Sequence, residues 1–348
     1  MRAPNNTATA IEPASVAQVR ERPRINALDM TKGALVVIMV IYHSFNYSTD
    51  YSLGFKYLPF LPPSFILISG FLISKLHCSP QAGLGRGVAC RLFLRGLRLL
   101  LLFTLLNVAA QLVGRHPPNN GTLGIDHFFS HWFEVYLPGQ AGIAAFSILL
   151  PISYLLLLAP SLILIHRWNR FALPAITLAL ITIAVSWDQR GQSSDNLTLL
   201  TAGMIGMILG RVPMDYLLRM GRYWFVASMV YVGYVFVGLI VGQPVLLQLL
   251  GACIALALIF SVSIRVGESG FSQQRLITLG KYSLVSYIFQ IGVLQIFARF
   301  FGRLAPYSSS FFCQMLLVLL LMVLVVEIVE WARRKSKWID TPYRAIFA

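Results

Sequence analysis

The chain has 348 residues, of which 57% are hydrophobic and only 12% charged, and its formal net charge is +15. Soluble domains carry about 25% charged residues, so this composition excludes an ordinary soluble protein. The excess of Lys and Arg falls between apolar runs rather than along one polar face, which argues against a nucleic-acid-binding protein. Apolar runs of about twenty residues recur throughout, as in polytopic membrane proteins. We therefore predict an all-α fold, a polytopic bundle of membrane-spanning helices.

The chain divides into three parts. Residues 1–24 are polar and contain proline, without an apolar run of the signal-peptide type, and are interpreted as a flexible cytoplasmic N-terminal arm. Residues 25–332 form the predicted transmembrane domain, and residues 333–348 a basic cytoplasmic tail. The pattern predicts ten spans, at 28–47, 58–75, 92–113, 141–165, 171–187, 197–212, 223–241, 244–263, 277–298 and 307–331.

The distribution of positive charge predicts the orientation of the bundle. If the N-terminus is cytoplasmic, 23 of the 28 Lys and Arg residues fall on the cytoplasmic side, as the positive-inside rule requires. Both termini are then cytoplasmic. We expect an integral membrane protein that contacts membrane lipids, with a bacterial inner membrane as the default location. The oligomeric state is left open.

The first predicted span carries three ionisable residues on one stripe. It reads "ALDMTKGALVVIMVIYHSFNY" from Ala27 to Tyr47. At 100° per residue, Lys32 and His43 differ by only about 20°, and Asp29 lies about 40° away on the other side. An ionisable group inside a membrane usually faces the bundle interior, and imidazole is suited to accept a proton near neutral pH. His43 is therefore a candidate general base, with an outer-interface histidine as the alternative. Asp29 and Lys32 also fit ordinary helix-start charges.

Arginines cluster at the start of the third predicted span. Arg91, Arg95 and Arg98 recur at helical spacing and share a face. Arginine binds phosphate through a fork of donors, so this face is a candidate phosphate clamp. The alternative is topogenic charge that contacts lipid headgroups.

The longest predicted outer loop, 115–140, is rich in polar and aromatic residues. His127 and His131 have a spacing that could ligate a metal, but no Glu adjoins the first His, and no metal is expected. A second interpretation is an amphipathic interfacial segment. A third is a substrate-binding loop, in which Trp132, Asp126 and Glu134 would contact a sugar.

Two further features concern packing. Gly203, Gly206 and Gly210 predict close helix packing in the sixth span. Near the end of the tenth span, Glu327 and Glu330 are expected to pair with Lys281 or Arg333.

Four segments resemble the acyltransferase family 3 membrane proteins and their wider transmembrane acyltransferase relatives. "LDMTKGALVVIMVIYHS" resembles the first helix of that family, in which an Asp and a basic residue precede a His. "PSFILISGFLIS" resembles the second-helix motif, and "RLFLRGLRLL" the Arg-x-x-Arg start of the third helix. "LGKYSLVSYIFQIGV" resembles the late Gly-Lys-x-Ser-x-x-x-Tyr-x-x-x-His helix. The matches span roughly 27–295. Lys32 stands where Arg is commoner, and Gln290 where many members have His.

The resemblance implies an O-acyltransferase that moves an acyl group, acetyl by default, from cytoplasmic acyl-CoA to a hydroxyl of a carbohydrate or lipid-linked glycan at the outer face. His43 would be the base or would carry the acyl group, and Lys32 and Asp29 would orient it. Arg95, Arg98 and Arg91 would hold CoA. Two alternatives remain: a transporter or flippase for a lipid-linked or small anionic solute, and a non-catalytic sensor with the same fold.

Overall fold

The computed structural model describes residues 26–48, 58–78, 86–113, 125–139, 145–192, 194–267, 270–302, 304 and 308–347. The predicted N-terminal arm lies outside these residues. Within them every regular element is a helix, which confirms the all-α prediction. The helices are α1 (Asn26–Asn46), α2 (Leu61–His77), α3 (Arg86–Val113), α4 (Ile125–Ser130), α5 (Trp132–Tyr136), α6 (Leu149–Trp168), α7 (Ala172–Gln189), α8 (Asp195–Leu209), α9 (Met214–Arg219), α10 (Trp224–Val241), α11 (Val245–Val266), α12 (Phe271–Lys281), α13 (Ser283–Phe301), α14 (Ser309–Lys335) and α15 (Lys337–Phe347).

The helices have the length and composition of an integral membrane protein. Eight segments of the described chain are long and apolar enough to cross a membrane. Each of the ten predicted spans overlaps a helix, but α2 and α8 are shorter apolar helices, of 17 and 15 residues. The number of spans and the side on which the termini lie therefore stay predictions.

The fourth and ninth predicted spans differ most from the observed helices. The fourth was predicted from residue 141, whereas α6 begins at Leu149, after a turn that includes Phe146 with positive φ. The ninth, predicted as one helix over 277–298, is interrupted at Tyr282, whose φ of −107° and ψ of 24° are not helical. Pro151 lies in the first turn of α6 and Gly280 two residues before Tyr282, but the apolar pattern continues across both boundaries, so the prediction missed them.

Glycine allows two pairs of helices to pack backbone against backbone. The helix α8 packs on α2, and a Cβ atom at Gly206 would clash with the carbonyl oxygen of Leu67. This confirms the packing predicted for the glycines of the sixth span. The helix α12 packs in the same way on α1, where a Cβ at Gly280 would clash with the carbonyl oxygen of Asp29. This contact holds the Lys281 end of α12 beside the charged start of α1.

The expected pairing of the two glutamates was wrong. Glu327 of α14 forms an ion pair with Arg275 of α12, and Glu330 pairs with Arg334 one turn further along α14 at 2.6 Å. Arg333 turns instead towards the last helix, α15, which follows α14 after Ser336. The predicted tail is thus helical from Lys337 to Phe347.

Candidate functional site

Two cavities lie along α1, each with a volume of about 270 Å³. We call the first the basic cavity, because its lining includes Lys32, Arg95 and Lys281. We call the second the histidine cavity, because its lining includes His43. The one-stripe arrangement of α1 explains the placement: Lys32 and His43 lie on the same side of the helix, about 16 Å apart along its axis at 1.5 Å per residue.

The two cavities meet at three shared side chains. Met39, Ile148 and Tyr287 line both. The ring of Tyr287 lies 6.0 Å from the imidazole of His43 between centroids, and 6.1 Å from the ring of Phe146. Its hydroxyl forms a hydrogen bond with the backbone of Ile148. We call these three shared residues the partition, because they form the wall that the two cavities have in common.

The start of α1 is charged but paired. Lys32 Nζ lies 2.6 Å from Asp29 Oδ1, and the Asp29 side chain is buried. Lys32 nevertheless lines the basic cavity, while Asp29 does not. The carboxylate therefore holds the ammonium group at the cavity wall, as an ion pair at i and i+3 can do on a helix.

The three predicted arginines differ in their relation to the basic cavity. All three are exposed on α3, but Arg95 lines the basic cavity, whereas Arg91 and Arg98 do not. The neighbouring face of α3 is apolar: Leu92 and Leu99 are buried there, on the same side as Gly96, which packs against α6. The helix thus presents one arginine to the cavity. The sequence could not make this distinction, because all three share the helical spacing.

Two of the three predicted substrate-binding residues can be compared with the cavities. Trp132 is 58% exposed on the short helix α5, and Glu134 is half-buried; neither lines the basic cavity or the histidine cavity. The side chains of Asp126 and His127 lie outside the described residues. His131 contacts Ser130 at 3.0 Å. Among the described residues no group of three or more His, Cys, Asp and Glu could hold a metal ion.

The histidine cavity contains polar residues that sequence analysis missed. Asp195, at the start of α8, lines it together with Asn196 and Gln248 of α11. Asn196 also donates from Nδ2 to the carbonyl oxygens of Val135 and Tyr136, each at 3.2 Å. The first turn of α8 therefore links the cavity to α5. The sequence could have indicated this site through Asp195, which follows the capping residue Ser194 at the start of a helix. The same pattern, however, is typical of any capped helix.

Gln290, the position compared with His in the resembled motif, lies in the interior of the bundle. Gln290 is fully buried on α13, and neither end of its amide has a hydrogen-bond partner within the described part of the chain. Leaving a buried amide without partners costs about 1–3 kcal/mol. Gln290 does not line either cavity, so no second histidine-like group reaches the site from this position.

No protein family, curated protein or solved structure matches this chain.

Proposed function

We propose that the protein is a membrane O-acyltransferase that moves an acetyl group from acetyl-CoA to a hydroxyl of a carbohydrate or lipid-linked glycan. The observation that supports this proposal most is the pair of cavities that meet at the partition. One is lined by cations suited to the phosphates of CoA, and the other by His43, a base suited to activate a hydroxyl. With the N-terminus in the cytoplasm, as the charge distribution predicts, the basic cavity faces the compartment that makes acyl-CoA.

In this proposal the basic cavity holds the donor. The phosphates of CoA bind to the three cations of this cavity, Lys32, Arg95 and Lys281. The narrow part of acetyl-CoA that carries the thioester extends along α1 towards the partition. No Asp or Glu is among the described residues that line this cavity. Asp29, which pairs with Lys32, offsets part of that positive charge, but Arg95 and Lys281 still make the field favour an anion over a neutral or cationic ligand.

The transfer takes place beside His43. The imidazole of His43 removes the proton from the acceptor hydroxyl as the oxygen attacks the thioester carbonyl carbon. A C–O bond forms and the C–S bond breaks. The proton then passes from His43 to the departing thiolate, which leaves as the free thiol of CoA. Tyr42, Asn46 and Gln248, which line the same cavity, offer hydrogen bonds to a polyhydroxylated acceptor.

The experiment uses the purified full-length protein in lipid nanodiscs. Release of CoA thiol and acetylation of glycans would be measured with acetyl-CoA and a panel of oligosaccharides, for the wild type and for His43→Ala. A general base contributes about 10²–10⁴-fold, so we expect turnover to fall at least 100-fold in His43→Ala while CoA affinity changes by less than about twofold. His166→Ala is the matched control, because His166 also lies on a long apolar helix but lines neither cavity.

Turnover that survives in His43→Ala would overturn the catalytic role of His43. Loss of turnover in both histidine variants would point to misfolding instead, and the folded state would be checked by gel filtration of the nanodisc particles.

A second candidate is a transporter for an anionic solute. Two cavities at opposite ends of one helix, closed from each other by three side chains, also fit a protein that opens alternately to each side. Flux of a small phosphate ester into liposomes without any release of CoA thiol would favour the transporter. Thiol release that requires the glycan would favour the acyltransferase.

A further inference from the structure

The last helix of the chain contributes to the wall of the basic cavity. Tyr343 lies in α15, and its side chain lines that cavity together with Arg95 of α3. The helix α15 packs against both α14 and α3. Tyr343, near the C-terminus, therefore lies on the same cavity wall as Arg95. The sequence of the tail did not predict this.

Arg333 holds Tyr343 in place. Its Nε and Nη2 atoms donate to Asp340 Oδ1 at 2.8 and 2.6 Å, and its guanidinium carbon lies 3.8 Å from the centroid of the Tyr343 ring. Both partners belong to α15, three residues apart, so one arginine at the end of α14 fixes the rotation of α15 as well as its position. A cation over an aromatic face is attracted to the ring, and this contact adds to the ion pair with Asp340.

The same arginine also reaches the interruption between α12 and α13. Its Nη1 atom donates to the hydroxyl of Tyr282 at 3.1 Å. The neighbours of Tyr282 in the chain, Lys281 and Ser283, both line the basic cavity. Arg333 therefore connects α15, which carries Tyr343, to the point where Lys281 enters the cavity.

The chemistry at this wall suits an anion. Lys32, Arg95 and Lys281 provide positive charge, and Tyr343 provides a hydroxyl. Burial raises the pKa of Tyr343 to about 12, although Arg333 and Arg95 oppose the shift. The hydroxyl is therefore protonated at neutral pH and can donate a hydrogen bond to an anionic oxygen.

We propose that Tyr343 is a ligand-binding residue of the basic cavity, which donates a hydrogen bond to a phosphate group held by Arg95, and that Arg333 is the residue that positions it. The identity of the phosphate as part of CoA rests on the proposed function. The contact itself does not, because any phosphate ligand of this cavity meets the same side chains.

The test measures binding rather than turnover. The full-length protein, in nanodiscs of phosphatidylcholine, would be titrated with CoA and separately with inorganic pyrophosphate, for the wild type, Tyr343→Phe, Tyr343→Ala and Arg333→Gln. Loss of one hydrogen bond to a charged group weakens binding by roughly tenfold, which is the change expected for Tyr343→Phe with both ligands. Arg333→Gln is expected to weaken binding to a similar degree, and Arg333→Lys to recover part of it, because Lys can pair with Asp340 and cover the ring.

Trp338→Ala is the matched control. Trp338 lies in the same helix and is 91% exposed, so its removal should leave both affinities unchanged while testing the integrity of α15. A lipid headgroup is another source of the phosphate. The CoA titration would therefore be repeated with phosphatidylglycerol in the nanodisc. If the lipid phosphate occupies the site, it will compete with CoA in the wild type but not in Tyr343→Phe.

The outcomes separate the two proposals. If Tyr343→Phe and Tyr343→Ala bind CoA and pyrophosphate as the wild type does, the assignment of Tyr343 is overturned, whatever the turnover. If the wild type shows Tyr343-dependent binding of pyrophosphate but does not bind CoA, the assignment stands and the proposed acyltransferase function fails. If the wild type binds neither ligand, both proposals are overturned.

Discussion

The two cavities have the same volume and share one wall, yet their linings differ in charge. Lys32, Arg95 and Lys281 make the basic cavity cationic. The histidine cavity has one carboxylate, Asp195, among its described lining residues, and its other polar groups are uncharged amides, hydroxyls and the imidazole of His43. A cationic cavity concentrates an anion, whereas a lining of uncharged donors and acceptors suits a ligand with many hydroxyls.

This contrast separates binding from chemistry. If the donor is held by charge in one cavity and the acceptor is activated in the other, substitutions in the basic cavity should change affinity for the donor. Substitutions around His43 and the partition should change the rate of transfer. The predictions below test this division, beginning with the partition.

Among the predictions below, removing the ring that separates the cavities is expected to have the largest effect. In Tyr287→Ala, the donor arm and the acceptor lose the side chain that lies between them and against His43. We expect transfer to the glycan to fall about 100-fold, because misplacing reacting groups by about 1 Å costs that much. Hydrolysis of acetyl-CoA without acceptor should rise, since water from the histidine cavity reaches the thioester. Both rates would be followed by thiol release.

Tyr287→Phe is the matched control, because it retains the ring and loses only the hydrogen bond to the backbone of Ile148. It should transfer acetyl groups at close to the wild-type rate. A Tyr287→Ala variant with normal transfer and no hydrolysis would show that the side chain does not separate the two ligands.

The second prediction disturbs only the basic cavity, through the backbone. Gly280 lines this cavity, and a Cβ there would clash with the carbonyl oxygen of Asp29. Overpacking of this kind costs about 1–3 kcal/mol, so Gly280→Ala should lower Tm and weaken CoA binding as α12 moves away from α1. Thermal unfolding in detergent, followed by intrinsic fluorescence, would measure the change.

Gly233→Ala, in α10, provides the comparison for Gly280→Ala. A Cβ at Gly233 meets nothing within 4 Å, so this substitution should be neutral or slightly stabilising, as Gly to Ala is inside a helix. Equal Tm values for the two variants would mean that α1 and α12 are not in close backbone contact.

Much of the fold could be predicted from the sequence, because a long apolar run indicates a membrane-spanning helix. The same is true of the stripe on α1: helical periodicity alone places Lys32 and His43 on one side, and the structure gives each a cavity. The sequence pattern was sufficient for features that depend on a single helix.

The missed residues all depend on contacts between helices that are distant in sequence. Asp195 reaches the histidine cavity because the glycines of α8 allow it to pack closely on α2, and Tyr343 reaches the basic cavity because Arg333 folds α15 back. Conversely, Trp132 and Glu134 have the residue types of a sugar site but lie on α5, outside both cavities. Their role in binding an acceptor stays a prediction, as do those of Asp29 and Arg98.

The third prediction compares two arginines one helical turn apart. Arg95 lines the basic cavity and Arg91 does not, so Arg95→Gln should weaken CoA binding about tenfold or more, whereas Arg91→Gln should change it by less than about twofold. Titration at low and moderate salt would measure both. Equal losses in the two variants would indicate that the arginines act through a shared surface field rather than through the cavity, and the loss would then disappear as salt rises.

The smallest expected effect is the pH dependence of Tyr343. Because burial raises the pKa of its hydroxyl to about 12, the side chain stays protonated from pH 6 to pH 10 and keeps its donor for phosphate. The sign follows from the two protonation states: only the neutral phenol donates, so its contribution is present below the raised pKa and is lost above it. The ratio of CoA affinities between wild type and Tyr343→Phe should therefore be constant over this range. A ratio that falls towards unity near pH 10 would place the pKa of Tyr343 at its ordinary value. The hydroxyl would then face open solvent rather than the wall of the basic cavity, and the charge contrast between the two cavities would not extend to the last helix.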